Sequence, residues 1–401
     1  MKKLLYTCIA ALAIAGCDKP NYYSPDYDKG GDSEFASDGG FFGEGGGEGG
    51  ANGQGGGGVA GVLTAGEWND LDNWQFWGGL MTGQDFSKFN SYWRLNTKNR
   101  IACKVVDAEK NPVVGAKLEL MSADGKVIWT SRSDNRGLAN LWFGVFADES
   151  GDTFTVSVNG VPQTGNPKVT DWTTSIVDEN EYTLATVPSV GNQVDLAFIV
   201  DATGSMTDEI NFLKKDLLDI LQKVGEKQTD RTIFTGTVFY RDTKDDYLTV
   251  HSDFTSDVST TVEFVKMQGA DGGGDWPEAV HTALEVSLTK LQWHDNAYSK
   301  LAFMILDAPA HQDQQGVIES LQKSIAQFSA KGIKIIPVFC SSYSKDCEFM
   351  CRQFAILTGG TYVFLTDDSG VGGDHIEASV GDYQVERLND LIERLIDQYI
   401  S

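Results

Sequence analysis

From Gln193 onward the chain alternates unbroken apolar runs with stretches whose apolar residues recur every three or four positions. The run Val194 to Val200 suits a strand buried on both faces of a sheet. Met206 to Val224 carries Ile210, Leu213, Leu217, Leu218 and Leu221 on one side, the period of an amphipathic helix. The same reading gives strands at Ile233 to Tyr240, Leu301 to Leu306, Ile333 to Phe339 and Thr361 to Leu365. It gives helices at Val258 to Met267, Ala279 to Leu291, Val317 to Phe328, Cys347 to Leu357 and Tyr383 to Ile400. Alternation of this kind predicts a doubly wound, Rossmann-like α/β domain over 190–401. Its ligands belong beyond the carboxyl ends of the strands, where Asp201 and Asp307 fall.

Upstream the rhythm is shorter. Between 99 and 187 lie Ile101 to Val106, Val113 to Met121, Val127 to Thr130, Leu138 to Phe143, Phe154 to Val158 and Glu181 to Val187. Asn111-Pro112, Asp124-Gly125 and Asn159-Gly160 punctuate them as turns. Short strands at this spacing predict a β-sandwich. Residues 62–98 are rich in aromatics, among them Trp68, Trp74, Phe76, Trp77, Phe86 and Trp93, and exposing all of them would invite aggregation. They are expected to pack on the domain that follows. From Gly30 to Gly61 sixteen of thirty-two residues are Gly, which cannot build a core, so 17–61 reads as a flexible tether. Forty such residues reach roughly 35 Å.

Composition narrows the function. Of 401 residues, 57 are acidic and 32 basic, a formal charge of -25. That surface repels nucleic acid and anionic lipid headgroups and attracts divalent cations. The first sixteen residues pair Lys2 and Lys3 with an apolar stretch from Leu4 to Ala15, too short to span a membrane and expected to be a signal peptide. Ile14-Ala15-Gly16-Cys17 resembles a bacterial lipobox, which implies cleavage before Cys17, acylation of that residue and a stable membrane anchor. With Asp18 and the acidic tether, the leader resembles those of surface lipoproteins of Bacteroidetes type. That implies an outer-membrane lipoprotein exposed at the surface of a bacterial envelope. Export permits disulfides. Cys340, Cys347 and Cys351 lie close together, and one bridge is expected within the trio, Cys340 to Cys347 or to Cys351 ahead of a bond inside the helix.

The chemistry concentrates at strand ends. In Asp201-Ala202-Thr203-Gly204-Ser205 three oxygen-bearing side chains alternate in a tight loop after an apolar strand. Gly272-Gly273-Gly274-Asp275-Trp276-Pro277-Glu278 follows, and Asp307 ends the strand Leu301 to Leu306. In this order the segments resemble the metal-ion-dependent adhesion site of von Willebrand factor type A domains. The resemblance covers roughly 190 to 400 and implies a divalent cation held by Asp201, Thr203 and Ser205, with Asp275 and Asp307 completing the set directly or through water. All-oxygen ligands favour Mg2+, with Ca2+ or Mn2+ as alternatives. A second resemblance, of Asn111 to Ala116 and Ser133 to Gly137, is to the carboxypeptidase-regulatory type of Ig-like module, a structural spacer.

The chain is therefore expected to be multidomain, with an N-terminal Ig-like β-sandwich ahead of the α/β domain. Its expected role is metal-dependent binding of a protein or cell-surface ligand that offers a carboxylate, with no nucleic-acid partner and no enzymatic activity. Two other readings stay open: a glycan- or solute-binding lipoprotein using the aromatic segment, and a metal-dependent hydrolase. Ser205 lacks a G-x-S-x-G elbow, and His251, His281, His294 and His311 form no H-E-x-x-H pair.

Overall fold

A computed structural model describes residues 62–146, 153–227, 230–274, 276–340, 344–369 and 377–401. The leader 1–16, Cys17, the tether 17–61 and Asp275 lie outside the described residues. In chain order the elements begin with strand β1 (Thr64–Trp68) and helices α1 (Trp74–Thr82) and α2 (Gln84–Trp93). Seven strands follow: β2 (Asn99–Val106), β3 (Lys117–Ser122), β4 (Val127–Arg132), β5 (Leu138–Phe143), β6 (Phe154–Val158), β7 (Val161–Pro162) and β8 (Asn180–Thr183). The alternating part comprises β9 (Gln193–Asp201), α3 (Thr207–Lys227), β10 (Thr232–Tyr240), β11 (Thr249–Thr255), α4 (Val258–Met267), α5 (Val280–Thr289) and β12 (Ser299–Leu306). It closes with α6 (Val317–Lys331), β13 (Ile333–Phe339), α7 (Lys345–Thr358), β14 (Tyr362–Thr366), β15 (Glu386–Arg387) and α8 (Leu388–Ile400).

One eight-stranded sheet runs β11-β10-β9-β12-β13-β14-β1-β15, and the strands from β10 to β14 in that order are parallel. Successive side chains of a strand point to opposite faces. Leu196, Phe198 and Val200 of β9 accordingly join one buried cluster, with Ile210, Leu217 and Leu221 of α3 and Leu391 and Leu395 of α8. Ala197 and Ile199 join the other, with Val280 and Leu284 of α5, Leu321 and Ile325 of α6 and Phe349 of α7. Helices thus cover both faces, which is why the central strands read as continuous apolar runs.

The region from 99 to 187 is β-rich, with two small sheets, β5-β2-β8 and β4-β3-β6-β7. It is joined to the α/β part by polar contacts: Trp129 Nε1 donates to Ser329 Oγ at 3.0 Å, and Asn135 Nδ2 to the Gln398 carbonyl at 2.9 Å. The aromatic segment ahead of it is split in use. β1 pairs antiparallel with β14, Ala65 opposite Leu365, and so extends the α/β sheet. In α1 and α2, Trp77 and Phe86 pack on Phe349 of α7 with ring centroids 6.1 and 5.7 Å apart, while Trp74 packs on Trp142 of β5 at 5.8 Å. No helix among the described residues is long and apolar enough to cross a membrane.

The expected disulfide is corrected. Cys103, Cys340, Cys347 and Cys351 are all free and buried. Cys340 points into the cluster shared with α3 and α8, whereas Cys347 and Cys351 point into the cluster on the opposite face. The sheet stands between them. Cys347 and Cys351 occupy successive turns of a helix continuous from Lys345 to Thr358. Neighbouring turns hold Cβ atoms about 5–6 Å apart, beyond the roughly 4 Å a disulfide needs. Burial pushes the Cys340 and Cys347 thiols well up, which keeps them protonated.

Candidate functional site

Register brings the two strand-end acids together. Val200 of β9 lies opposite Ile305 of β12, so Asp201 and Asp307 leave the sheet on adjacent parallel strands at the same edge. Asp201 is fully buried, and its Oδ1 accepts from the Thr203 amide at 2.9 Å and the Thr203 hydroxyl at 2.7 Å. Thr203 Oγ1 lies 3.3 Å from Ser205 Oγ. Both acids are pushed above the ordinary carboxylate range. For Asp201 burial is the main cause and the Asp307 charge the next. For Asp307 burial again leads, opposed in part by the Ser205 hydroxyl. Asp201, Thr203, Ser205 and Asp307 therefore gather at one point, while Asp275 lies outside the described residues.

A glycine loop closes over them. Gly204 N donates to the Gly272 carbonyl at 3.1 Å, and Asp271 N to the Ala202 carbonyl at 3.0 Å. Gly273 has a positive φ of 71°, and a Cβ there would sit 3.3 Å from both Glu278 Oε1 and Thr203 Cβ. A side chain at this position would push apart the groups the loop brings together.

Beneath the loop are acids whose part the sequence does not reveal. Glu278 is 4% exposed, and the Pro309 carbonyl accepts from its amide at 2.9 Å. Its carboxyl is pushed up to about 9, by burial first and then by Asp201, Asp242 and Asp307. Asp242 Oδ1 lies 2.6 Å from His311 Nε2, which ties the loop after β10 to the loop after β12. Asp245 accepts from the Gly273 amide at 3.0 Å. A signal for Asp242 and Asp245 exists in the acidic stretch directly after the β10 strand end, where α/β folds place ligand-binding groups. Glu278 stands in the sequence only as the last residue of the glycine motif.

Three carboxyl oxygens here, Asp201 Oδ2, Glu278 Oε2 and Asp307 Oδ1, are buried without a hydrogen-bond partner. Buried polar atoms are ordinarily paired, and charged ones left unpaired are costly. Exposed Ser205 and half-exposed Trp276 open the rim to solvent. The expectation of a metal-binding cluster is nevertheless corrected: among the described residues no group of three or more His, Cys, Asp and Glu is arranged to hold a metal ion. The oxygens that converge are two carboxylates and two hydroxyls, with Glu278 set behind the glycine loop.

Residues 195–368 match a model of the von Willebrand factor A domain. The chain is 33% identical over 118 residues to a putative ariadne-like RING finger protein of Acanthamoeba polyphaga mimivirus, covering 29% of this chain and 11% of that one. It is 25% identical over 217 residues to the alpha-protein kinase vwkA of Dictyostelium discoideum, covering 52% of this chain and 33% of that one. The chain thus spans a third or less of the length of these curated relatives. Among solved structures it is similar to the conserved hypothetical protein BatB of Bacteroides thetaiotaomicron, at 13% identity and a TM-score of 0.35 over 51% of this chain and 98% of that one. It is also similar to an aerotolerance-related membrane protein of Bacteroides fragilis, at 14% identity and a TM-score of 0.32 over 52% and 98%. The likeness to the von Willebrand factor A domain is thus confined to the α/β part of the chain, residues 195–368.

Proposed function

We propose that this protein is a non-catalytic recognition protein of the bacterial envelope, and that it grips a protein ligand at the rim formed by Asp201, Thr203, Ser205 and Asp307. The observation that carries the reading is the set of partnerless buried carboxyl oxygens at an opening of the sheet. A fold gains nothing from leaving them so, whereas a binding site does.

The finer form of the reading seats one divalent cation there, Mg2+ first and Ca2+ or Mn2+ next. It rests on the two carboxylates and two hydroxyls and not on a cluster of acids. Hard oxygen donors suit such ions, and a ligand carboxylate would complete the shell. The ion would supply an electrostatic bridge between two acidic surfaces. Asp201 and Asp307 would hold it, Thr203 would orient Asp201 through its two hydrogen bonds, and the glycine loop would keep the backbone close. Asp275 belongs to the same proposal as a further ligand.

Display follows from the sequence. Acylated Cys17 would anchor the chain to the membrane, the tether 17–61 would clear it from the lipid, and 99–187 would serve as an Ig-like spacer ahead of the binding domain. Replacing Cys17 with Ala should move the protein out of the membrane fraction. The test of the site is partner capture from envelope extract, comparing the wild type, the wild type in chelator, and Asp201→Ala. Loss of the same partner in both of the last two is expected. Undiminished capture by Asp201→Ala would refute the site, and undiminished capture in chelator alone would refute the cation.

A further inference from the structure

At the amino end of the same sheet, away from Asp201 and Asp307, a cavity of about 960 Å³ opens where three parts of the chain meet. Its wall takes Phe76 from the aromatic segment, Arg100 and Arg136 from the β-rich region, and Lys334 from the start of β13. The volume is that of a small-molecule site.

Its charge runs against that of the chain. Arg100 is 7% exposed, and its guanidinium bonds to neutral oxygens: Nε to Asn140 Oδ1 at 2.8 Å and Nη1 to the Leu71 carbonyl at 2.8 Å. Among the described residues no carboxylate lies within ion-pair distance of it; burial lowers its pKa to about 10, and the charges of Asp72 and Glu179 offset that only in part. A buried cation with no carboxylate in contact and only partial compensation from a distance gains from a ligand that brings negative charge to it. Arg136 repeats the pattern more weakly, with Nε buried and partnerless and only a 3.6 Å contact to Asp134. Asp134 is already held by Lys334 at 3.4 Å. The acids not so held, Asp72 and Glu179, are exposed at the mouth.

This arrangement selects a ligand class. The cationic interior wants one carboxylate. Acids at the mouth repel a polyanion such as a nucleotide, yet they accept hydrogen bonds from hydroxyls. Phe76, 36% exposed, offers a flat apolar face of the kind that stacks on a sugar ring. We propose that the junction cavity binds an acidic saccharide of the uronic-acid class, with its carboxylate toward Arg100 and Arg136 and its hydroxyls toward Asp72 and Glu179. The assignment does not rest on the reading of the strand-end site.

The test is calorimetric titration of the full chain with glucuronic acid, glucose and acetate. Saturable binding of glucuronic acid is expected, with glucose and acetate each at least about tenfold weaker. Arg136→Gln, whose side chain is 40% exposed, should weaken glucuronic acid about tenfold in a protein that still unfolds in one cooperative transition. Phe76→Ala should weaken glucuronic acid as well. An absence of saturable heat with glucuronic acid, equal affinity for acetate, or an unaltered affinity in Arg136→Gln would each overturn the proposal.

Discussion

Arg352 and Asp201 are both fully buried charged residues of the α/β domain, and the fold treats them in opposite ways. Arg352 has its charge answered from two directions. Its Nε donates to Asp70 Oδ2 at 2.9 Å, and its Nη1 lies 3.3 Å from Glu348 Oε1 and donates to the Ser379 carbonyl at 2.6 Å. Glu348 in turn accepts from the Ser379 amide at 2.7 Å and pairs with Lys345 at 3.0 Å. That network fastens the N-terminal segment to α7. Asp201 meets a neighbouring acid instead, and one of its oxygens has no partner. The same domain can satisfy buried charge completely, so the place where it does not do so is the place to look for a ligand.

The comparison can be broken most severely at the satisfied end. Replacing Arg352 with Met leaves Asp70 buried without its cation and Glu348 with Lys345 alone, and should cost roughly 3–5 kcal/mol in urea unfolding. Replacing all three with apolar residues of similar volume should cost far less. A loss below about 1 kcal/mol for Arg352→Met would mean that the network is not a fastening.

Glu278→Gln sharpens the other end. The folded-state pKa of about 9 stands above the ordinary 4.5, so the wild type loses stability relative to the variant as pH climbs between those values. The limiting slope is of order 1 kcal/mol per pH unit. Urea midpoints measured across pH should coincide for the two proteins near pH 4 and diverge in favour of Glu278→Gln toward pH 8. A gap independent of pH would show that Glu278 ionises freely. The smallest effect is expected from reduction. With Cys103, Cys340, Cys347 and Cys351 buried and free, dithiothreitol should leave the melting temperature unchanged, and alkylation after unfolding without reductant should label each of them.

Much of this is written in the sequence, and the omissions have physical reasons. Strands β9, β12 and β13 are legible because a parallel strand covered on both faces must be apolar throughout. β11 escapes because Thr249 to Thr255 is an edge strand whose residues are half-buried or exposed, so polar positions interrupt it. β1 escapes because Thr-Ala-Gly-Glu-Trp has little strand propensity, and its partner β14 supplies the ladder. At the site, Asp201, Thr203, Ser205 and Asp307 are legible because two of them end apolar strands and the others follow at fixed spacing. Glu278, Asp242 and His311 come together only through loop packing. The disulfide reading failed because closeness in sequence says nothing about which face of a sheet a thiol points to.

The central claim is that Asp201 and Asp307 are kept together at a cost to stability and for the sake of binding. Their pKa values are raised from the ordinary 3.8, so the cost is absent at low pH and accumulates as pH rises toward neutrality. Asn in either place keeps the shape and an acceptor oxygen but removes the repelling charge. The most direct measurement is therefore thermal unfolding of the wild type, Asp201→Asn and Asp307→Asn in chelator at pH 4 and pH 8. The account predicts variants that melt above the wild type at pH 8, with the gap closing at pH 4. Variants that melt well below the wild type at both values would contradict it and make the pair a structural element of the strand ends.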